Sequence, residues 1–217
     1  MFENREQAGR QLAARLEHLR EDPGTDVVVL GLPRGGVVVA AEIAAGLRAP
    51  LDILVVRKLR APRQPELAIG AVADGEHPHR ILNDGVIAAL GVEDEYLQRE
   101  TAMQLDELRR RQALYRRGRP ASPLTGRAVV VADDGIATGA TVRAGIKALR
   151  GRAPASIVLA IPVGPPESMR SLSEDVDELI CLETPAVFTA VGEFYADFRQ
   201  TTDAEVIAAL EQRWVAR

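Results

Sequence analysis

The chain has 217 residues, with 27 Lys and Arg against 31 Asp and Glu for a formal charge of −4, and is 47% hydrophobic and 27% charged. That balance excludes a disordered or collagen-like polymer and suits one globular domain with a buried core. Its mild acidity argues against the clustered cations of a nucleic-acid binder.

The lone cysteine, Cys181, excludes an intrachain disulfide. The charged opening MFENREQAGRQLAARLEHLRED lacks the apolar run of a signal peptide, and no stretch approaches the roughly 20 apolar residues of a membrane span. The expectation is a cytoplasmic protein without a membrane or nucleic-acid partner. Aromatics are only 4% of the residues, so Val, Leu, Ile and Ala must build the core, as in parallel sheets covered by helices.

In chain order, Ala8, Leu12, Leu16 and Leu19 are spaced for a leading amphipathic helix that Asp22, Pro23 and Gly24 stop. Asp26 to Leu30 is a β-branched strand, followed by the loop LPRGG and a helix ending near Gly46. Leu51 to Val56 is the next strand. Arg57 to Glu66, RKLRAPRQPE, has neither period and reads as a mobile loop. Leu67 to Ala73 and Arg80 to Leu82 form a hairpin or β-flap, Asn83 or Asp84 caps a short helix, and Glu93 to Arg117 is a long charged helix. Its basic run, RRRQALYRRGR, reads as a solvated face partly paired with acids.

The second half repeats the alternation: strand Arg127 to Ala132, loop DDGIATGA, helix Thr141 to Arg150, strand Ser156 to Ile161, helix about Pro166 to Leu172 and strand Val176 to Leu182. An irregular tail, TPAVFTAVGEFYADFRQ, leads to a closing helix capped by Thr202 or Asp203 and running through Trp214. The fold class is therefore α/β, a doubly wound and mostly parallel sheet in a single domain over residues 1–217, with ligand expected where loops leave the carboxyl ends of the strands.

The stretch that carries chemistry is VVVADDGIATGAT, Val129 to Thr141. An apolar strand delivers the adjacent carboxylates Asp133 and Asp134 to the sheet edge. A small-residue loop then offers backbone N–H groups, the Thr138 and Thr141 hydroxyls and a positive helix end to one phosphate. Carboxylates for hydroxyls beside an anion cradle suit a ribose 5-phosphate; the plainer alternative is a tight turn capped by Asp.

These thirteen residues resemble the 5-phosphoribosyl 1-diphosphate (PRPP) motif of the type I phosphoribosyltransferases, and they lack the GK followed by Ser or Thr of a nucleotide-binding phosphate loop. The resemblance implies that Asp133 and Asp134 meet the ribose hydroxyls and, directly or through water, a Mg2+ cofactor, while Gly135 and the run Ala137, Thr138, Gly139, Ala140 and Thr141 hold the 5-phosphate. Members specific for 6-oxopurines carry an acid where Ala137 stands, so that candidate base is missing here.

LPRGG resembles the family's diphosphate loop. Gly35 and Gly36 permit close backbone approach, Arg34 supplies a cation, and the following helix favours anions. VVRKLRAPRQPELAIGA is similar to the catalytic-loop region of adenine and orotate members. There Arg57, Lys58, Arg60 and Arg63 can neutralise a departing diphosphate beneath a closing lid, with Lys58 the first choice and Arg60 and Arg63 as easily solvated. Glu66 orients an acceptor or ends a loop.

In this family a hood, here about 183–200, selects the acceptor. Half of the eight aromatics fall in it, as Phe188, Phe194, Tyr195 and Phe198, suited either to stacking on a flat ring, with Phe188 as the contact, or to core packing. The whole chain looks most like bacterial phosphoribosyltransferase-domain proteins that occur alone or fused to a hydrolase.

His18, His77 and His79 have no partners at metal-ligand spacing, Cys181 reads as buried and inert, and GxSxG is absent. The resemblance implies a Mg-dependent homodimeric enzyme of nucleotide metabolism that moves a phosphoribosyl group from PRPP to a small-molecule nitrogen acceptor with release of pyrophosphate. The rival is a non-catalytic regulatory module that binds PRPP or a nucleotide. A subunit like ribose-phosphate diphosphokinase is weaker, because that family uses two domains. On this reading Asp134→Asn weakens donor use far more than folding.

Overall fold

The computed structural model describes residues 1–21, 24–74 and 79–213, the side chains of Pro65, Glu66, His79 and Arg213 excepted. His77 and the expected helix end at Trp214 lie outside the described residues. In chain order the elements are α1 Arg5–Arg15, α2 Glu17–Glu21, β1 Val27–Gly31, α3 Gly35–Leu47, β2 Leu51–Ile53, β3 Val56–Ala61, β4 Gln64–Ala73, β5 His79–Leu82, α4 Asp84–Leu90 and α5 Asp94–Arg116. They continue with β6 Ala128–Ala132, α6 Ala140–Arg150, β7 Ser156–Val163, α7 Pro166–Ser173, β8 Glu178–Glu183 and α8 Asp203–Arg213, with a 3-10 turn at Val191–Phe194.

The chain forms two compact units: residues 1–54, 122–139 and 152–217 make the first, and residues 55–121 and 140–151 the second. The first holds a five-stranded parallel sheet in the order β2-β1-β6-β7-β8. β1 and β6 are buried throughout, as their unbroken Val-rich sequences require of strands covered on both sides. They also end level, with Gly31 paired to Ala132. The direction of chain progression reverses between these two strands, so the loops after them open the crevice where α/β sheets of this order bind ligands.

Local signals set the helix ends. Asn4 accepts from the Gln7 amide at 2.8 Å to start α1. Thr202, of the two expected caps, opens α8 in a reciprocal box: its Oγ1 accepts from the Glu205 amide at 3.2 Å, while the Glu205 carboxylate accepts from the Thr202 amide at 2.8 Å. Asn83 likewise caps α4. Cys181 is half-buried rather than sealed in, and burial pushes its thiol up to about 11.

The second unit is an antiparallel sheet, β3-β4-β5, with α5 and α6 packed on it. Arg57 to Glu66 is not an unstructured loop but most of a hairpin, β3 turning through Pro62 and Arg63 into β4. Its prolines do not break the pairing, because Pro62 lies in the turn and Pro65 falls in a bulge where Ala61 pairs with Gln64 and Arg60 with Ala68. The alternation is in fact present, with Leu59 and Ala61 buried and Arg60 exposed between them.

The basic run on α5 also differs from the solvated face its sequence suggests. Arg109 and Arg110 are exposed and pair along the helix with Asp106 and Glu107. Arg116, by contrast, is buried against buried Asp74, with its Nη2 at 2.6 Å from Oδ2, and Gln112 donates to the same carboxylate. Part of the run is therefore internal structure and not a solvated face.

Candidate active site

At the level ends of β1 and β6, the loop Leu32 to Gly36 meets the acid pair. The Leu32 amide donates to the Ala132 carbonyl at 3.0 Å, and the Asp134 amide to Asp133 Oδ1 at 2.9 Å. Gly35 and Gly36 permit a close approach, but within the chain itself. A Cβ on Gly36 would lie 2.8 Å from the Ala132 oxygen and from the Asp133 Cα, and one on Gly35 would lie 2.6 Å from the Asp134 Cγ. The glycines thus let the start of α3 seat against the carboxylates, with the peptide between Pro33 and Arg34 in the cis form. No side chain caps α3. Arg34 is half-buried, its guanidinium 4.0 Å from Asp203.

Beyond the acids, Gly135 leads into a loop pinned to β7 and α7. The Ile136 amide donates to the Val163 carbonyl at 3.0 Å, and the Ser168 hydroxyl to the Ala137 carbonyl at 2.7 Å. Gly139 has φ +72° and sits under Leu172, a position that a side chain would strain and crowd. Ala137 and Thr138 are exposed on this rim, and Ala140 and Thr141 form the first residues of α6, one residue earlier than expected.

Two like charges side by side make the pair electrostatically costly. Burial, and then the neighbouring Asp134 charge, raise the Asp133 carboxyl well above the ordinary carboxylate range. Asp134 has a partner the sequence did not suggest: Arg5 Nε donates to its Oδ2 at 2.7 Å, with both side chains largely buried. This revises the expectation for Asp134→Asn, since removing that charge leaves a buried guanidinium without its counterion and so also affects folding. Arg5 had a signal in the sequence, because it shares the helical stripe of Ala8, Leu12 and Leu16 where every other residue is apolar. Tyr195, expected as a stacking or packing ring, also has a polar part. Its hydroxyl donates to the Asp134 carbonyl at 2.6 Å, and burial together with Asp134 raises its phenol, keeping it a donor.

The aromatic tail packs against the core, with Tyr195 buried and Phe188, Phe194 and Phe198 partly buried. Phe188 stacks on Phe194 with centroids 5.5 Å apart, beside a cluster of Phe2, Ala8, Val163 and Tyr195. The Phe2 amide donates to the Phe194 carbonyl at 2.7 Å, tying the tail to the start of the chain.

The remaining expected residues lie in the second unit. Arg57 Nε donates to Gln104 Oε1 at 3.0 Å, and burial followed by Arg111 lowers its affinity for a proton. Arg60 is exposed, while its amide donates to Glu100. Lys58 is half-buried, and its side chain has no ion pair among the described residues. The Glu66 side chain lies outside the described residues. Among those described, no group of three or more His, Cys, Asp or Glu side chains could hold a metal. The Asp133 and Asp134 pair still fits a magnesium ion, which keeps most of its waters and takes one or two carboxylates plus substrate oxygens.

Residues 2–199 match the phosphoribosyl transferase domain family. The chain belongs to that family. It is 50% identical over 212 residues to the Mycobacterium tuberculosis proteins named "Putative phosphoribosyl transferase Rv0571c" and "Putative phosphoribosyl transferase MT0597", an alignment covering 98% of this chain and 47% of each relative. The chain thus spans about half the length of the curated relatives it matches. The crystal structure of TT1426 from Thermus thermophilus is 42% identical with a TM-score of 0.85, covering 99% of both chains. As a phosphoribosyl transferase domain, the chain has the mostly parallel α/β sheet expected from its sequence. Among the described residues no helix is long and apolar enough to cross a membrane.

Proposed function

We propose that this phosphoribosyl transferase domain moves the 5-phosphoribosyl group of PRPP to a ring nitrogen of a small acceptor such as a nucleobase, releasing pyrophosphate. The observation that carries the reading is the meeting, at the reversal point of the sheet, of the acid pair with the glycine loop on one side and the small-residue loop on the other. Asp133 and Asp134 accept hydrogen bonds from the two ribose hydroxyls. Ala137 to Gly139, continuing into Ala140 and Thr141, present amides and hydroxyls to the 5-phosphate. Arg34 and the uncapped start of α3 receive the diphosphate.

The anomeric carbon gains positive charge as the diphosphate leaves, so the chain contributes chiefly by placing cations at the departing oxygens and holding the acceptor in line, without a protein nucleophile. Lys58, a half-buried cation with no ion-pair partner among the described residues, is assigned to that departing charge, with Arg57 and Arg60 beside it in sequence. Asp133 and Asp134 would hold magnesium, which when bound offsets diphosphate charge. Phe188, packed on Phe194, is assigned to the edge of the acceptor site rather than to a free stacking platform.

Incubation of the purified protein with PRPP, Mg2+ and a panel of nucleobases is expected to release pyrophosphate with at least one acceptor. PRPP binding without turnover across the panel would replace this reading by that of a donor-sensing module, and absence of both would reject it.

A further inference from the structure

Arg5 lies outside the recognised motifs, on the first turn of a helix that begins 129 positions before Asp134, yet its guanidinium is tied on three sides. Nε donates to Asp134 Oδ2 at 2.7 Å, Nη1 donates to the Arg199 carbonyl at 2.8 Å, and the guanidinium carbon lies 3.9 Å from the centroid of the Phe198 ring. Phe198 stacks in turn on Tyr195 at 5.0 Å, and Tyr195 holds the Asp134 carbonyl. Asp134 is thereby gripped by side chain and backbone from one rigid cluster.

The same contacts decide what each carboxylate oxygen can do. Oδ2 is engaged by Arg5 and faces Gly35, where an added Cβ would lie 2.7 Å from Arg5 Nε. Oδ1 is the oxygen that Arg5 does not take. Asp134 sits beside Asp133, whose Oδ1 its own amide reaches, so the direction of its carboxylate depends on what holds it. A planar guanidinium with fixed donor directions sets that direction better than a point charge on a flexible stem.

We propose that Arg5 is a positioning residue for the sugar: it fixes Asp134 so that Oδ1 receives a ribose hydroxyl, and the Tyr195–Phe198 stack fixes Arg5. The inference rests on the donor site proposed above. It gives the start of the chain and the tail after β8 a direct part in donor recognition, since both supply the groups that orient the acid.

Calorimetry with two ligands, PRPP with Mg2+ and pyrophosphate without metal, separates this role from simple tethering. Metal-free pyrophosphate has neither sugar hydroxyls nor a magnesium ion to bring to the acid pair and so does not need an oriented Asp134. Arg5→Lys keeps the charge but cannot reproduce the planar fork. It is expected to weaken PRPP binding at least tenfold, leave pyrophosphate binding within about twofold and melt close to the parent protein, with Arg5→Ala losing more PRPP affinity. Unchanged PRPP affinity in Arg5→Lys overturns the proposal. So does a parallel loss of both ligands that tracks melting temperature, which identifies Arg5 as a tether. A parent protein that takes up no PRPP rejects the donor site itself and this inference with it, a result distinct from failure of the Arg5 variants alone.

Discussion

Arg116→Ala is expected to lower the stability of the fold by about 3–5 kcal/mol, because it leaves the Asp74 carboxylate buried without its cation. Asp74 is 1% exposed and has no solvent to fall back on. The Gln112 amide that also reaches it can hold one oxygen but cannot offset its charge. An Asp74→Asn, Arg116→Met double variant would recover much of the loss, since replacing both partners removes the isolated charge that makes the single change severe. Arg109→Ala serves as the control. It lies on the same helix with its side chain 62% exposed and paired, among the described residues, with exposed Asp106, so it should change stability by no more than about 0.5 kcal/mol. Urea denaturation of the three variants reads all of these values.

Gly36→Ala is expected to affect stability and ligand binding together. Its Cβ would stand 2.8 Å from a backbone oxygen and a backbone Cα of β6 and the residue after it, and neither can rotate aside as a side-chain end could. Relief requires the start of α3 to move away from the acid pair, at about 1–3 kcal/mol for an overpacked site. That movement separates the two loops that the donor must touch at once, so PRPP affinity should fall by about tenfold or more beyond what the stability change explains. Melting temperature and PRPP titration measured on the same preparation check both parts.

What the sequence disclosed was whatever chemistry lies close along the chain. The end of the strand, the acid pair and the small-residue loop are thirteen consecutive residues, Val129 to Thr141, and the strand is legible because every residue from Ala128 to Ala132 is apolar and buried. The alternation of strands and helices was enough to give the parallel sheet. The Arg5–Asp134 and Asp74–Arg116 pairs span 129 and 42 positions, and no local pattern announces either. Arg5 shows on its apolar stripe but its partner does not, and the basic run that holds Arg116 reads as solvated, which burial reverses. The hairpin from Val56 was obscured differently: its prolines match the composition of a loop, while the bulge that accommodates Pro65 exists only once β3 and β4 are paired. The aromatic tail left two readings open at the sequence level, and contacts with Phe2, at the far end of the chain, favour packing.

Titration of PRPP with Mg2+ into the parent protein and into Asp133→Asn by calorimetry reads whether Asp133 and Asp134 receive the hydroxyls of a phosphorylated pentose. Saturable heat is expected for the parent and at least about tenfold weaker binding for the variant, because the amide gives up a charge-assisted acceptor. No heat with the parent protein, or equal affinity in the two proteins, would contradict that role.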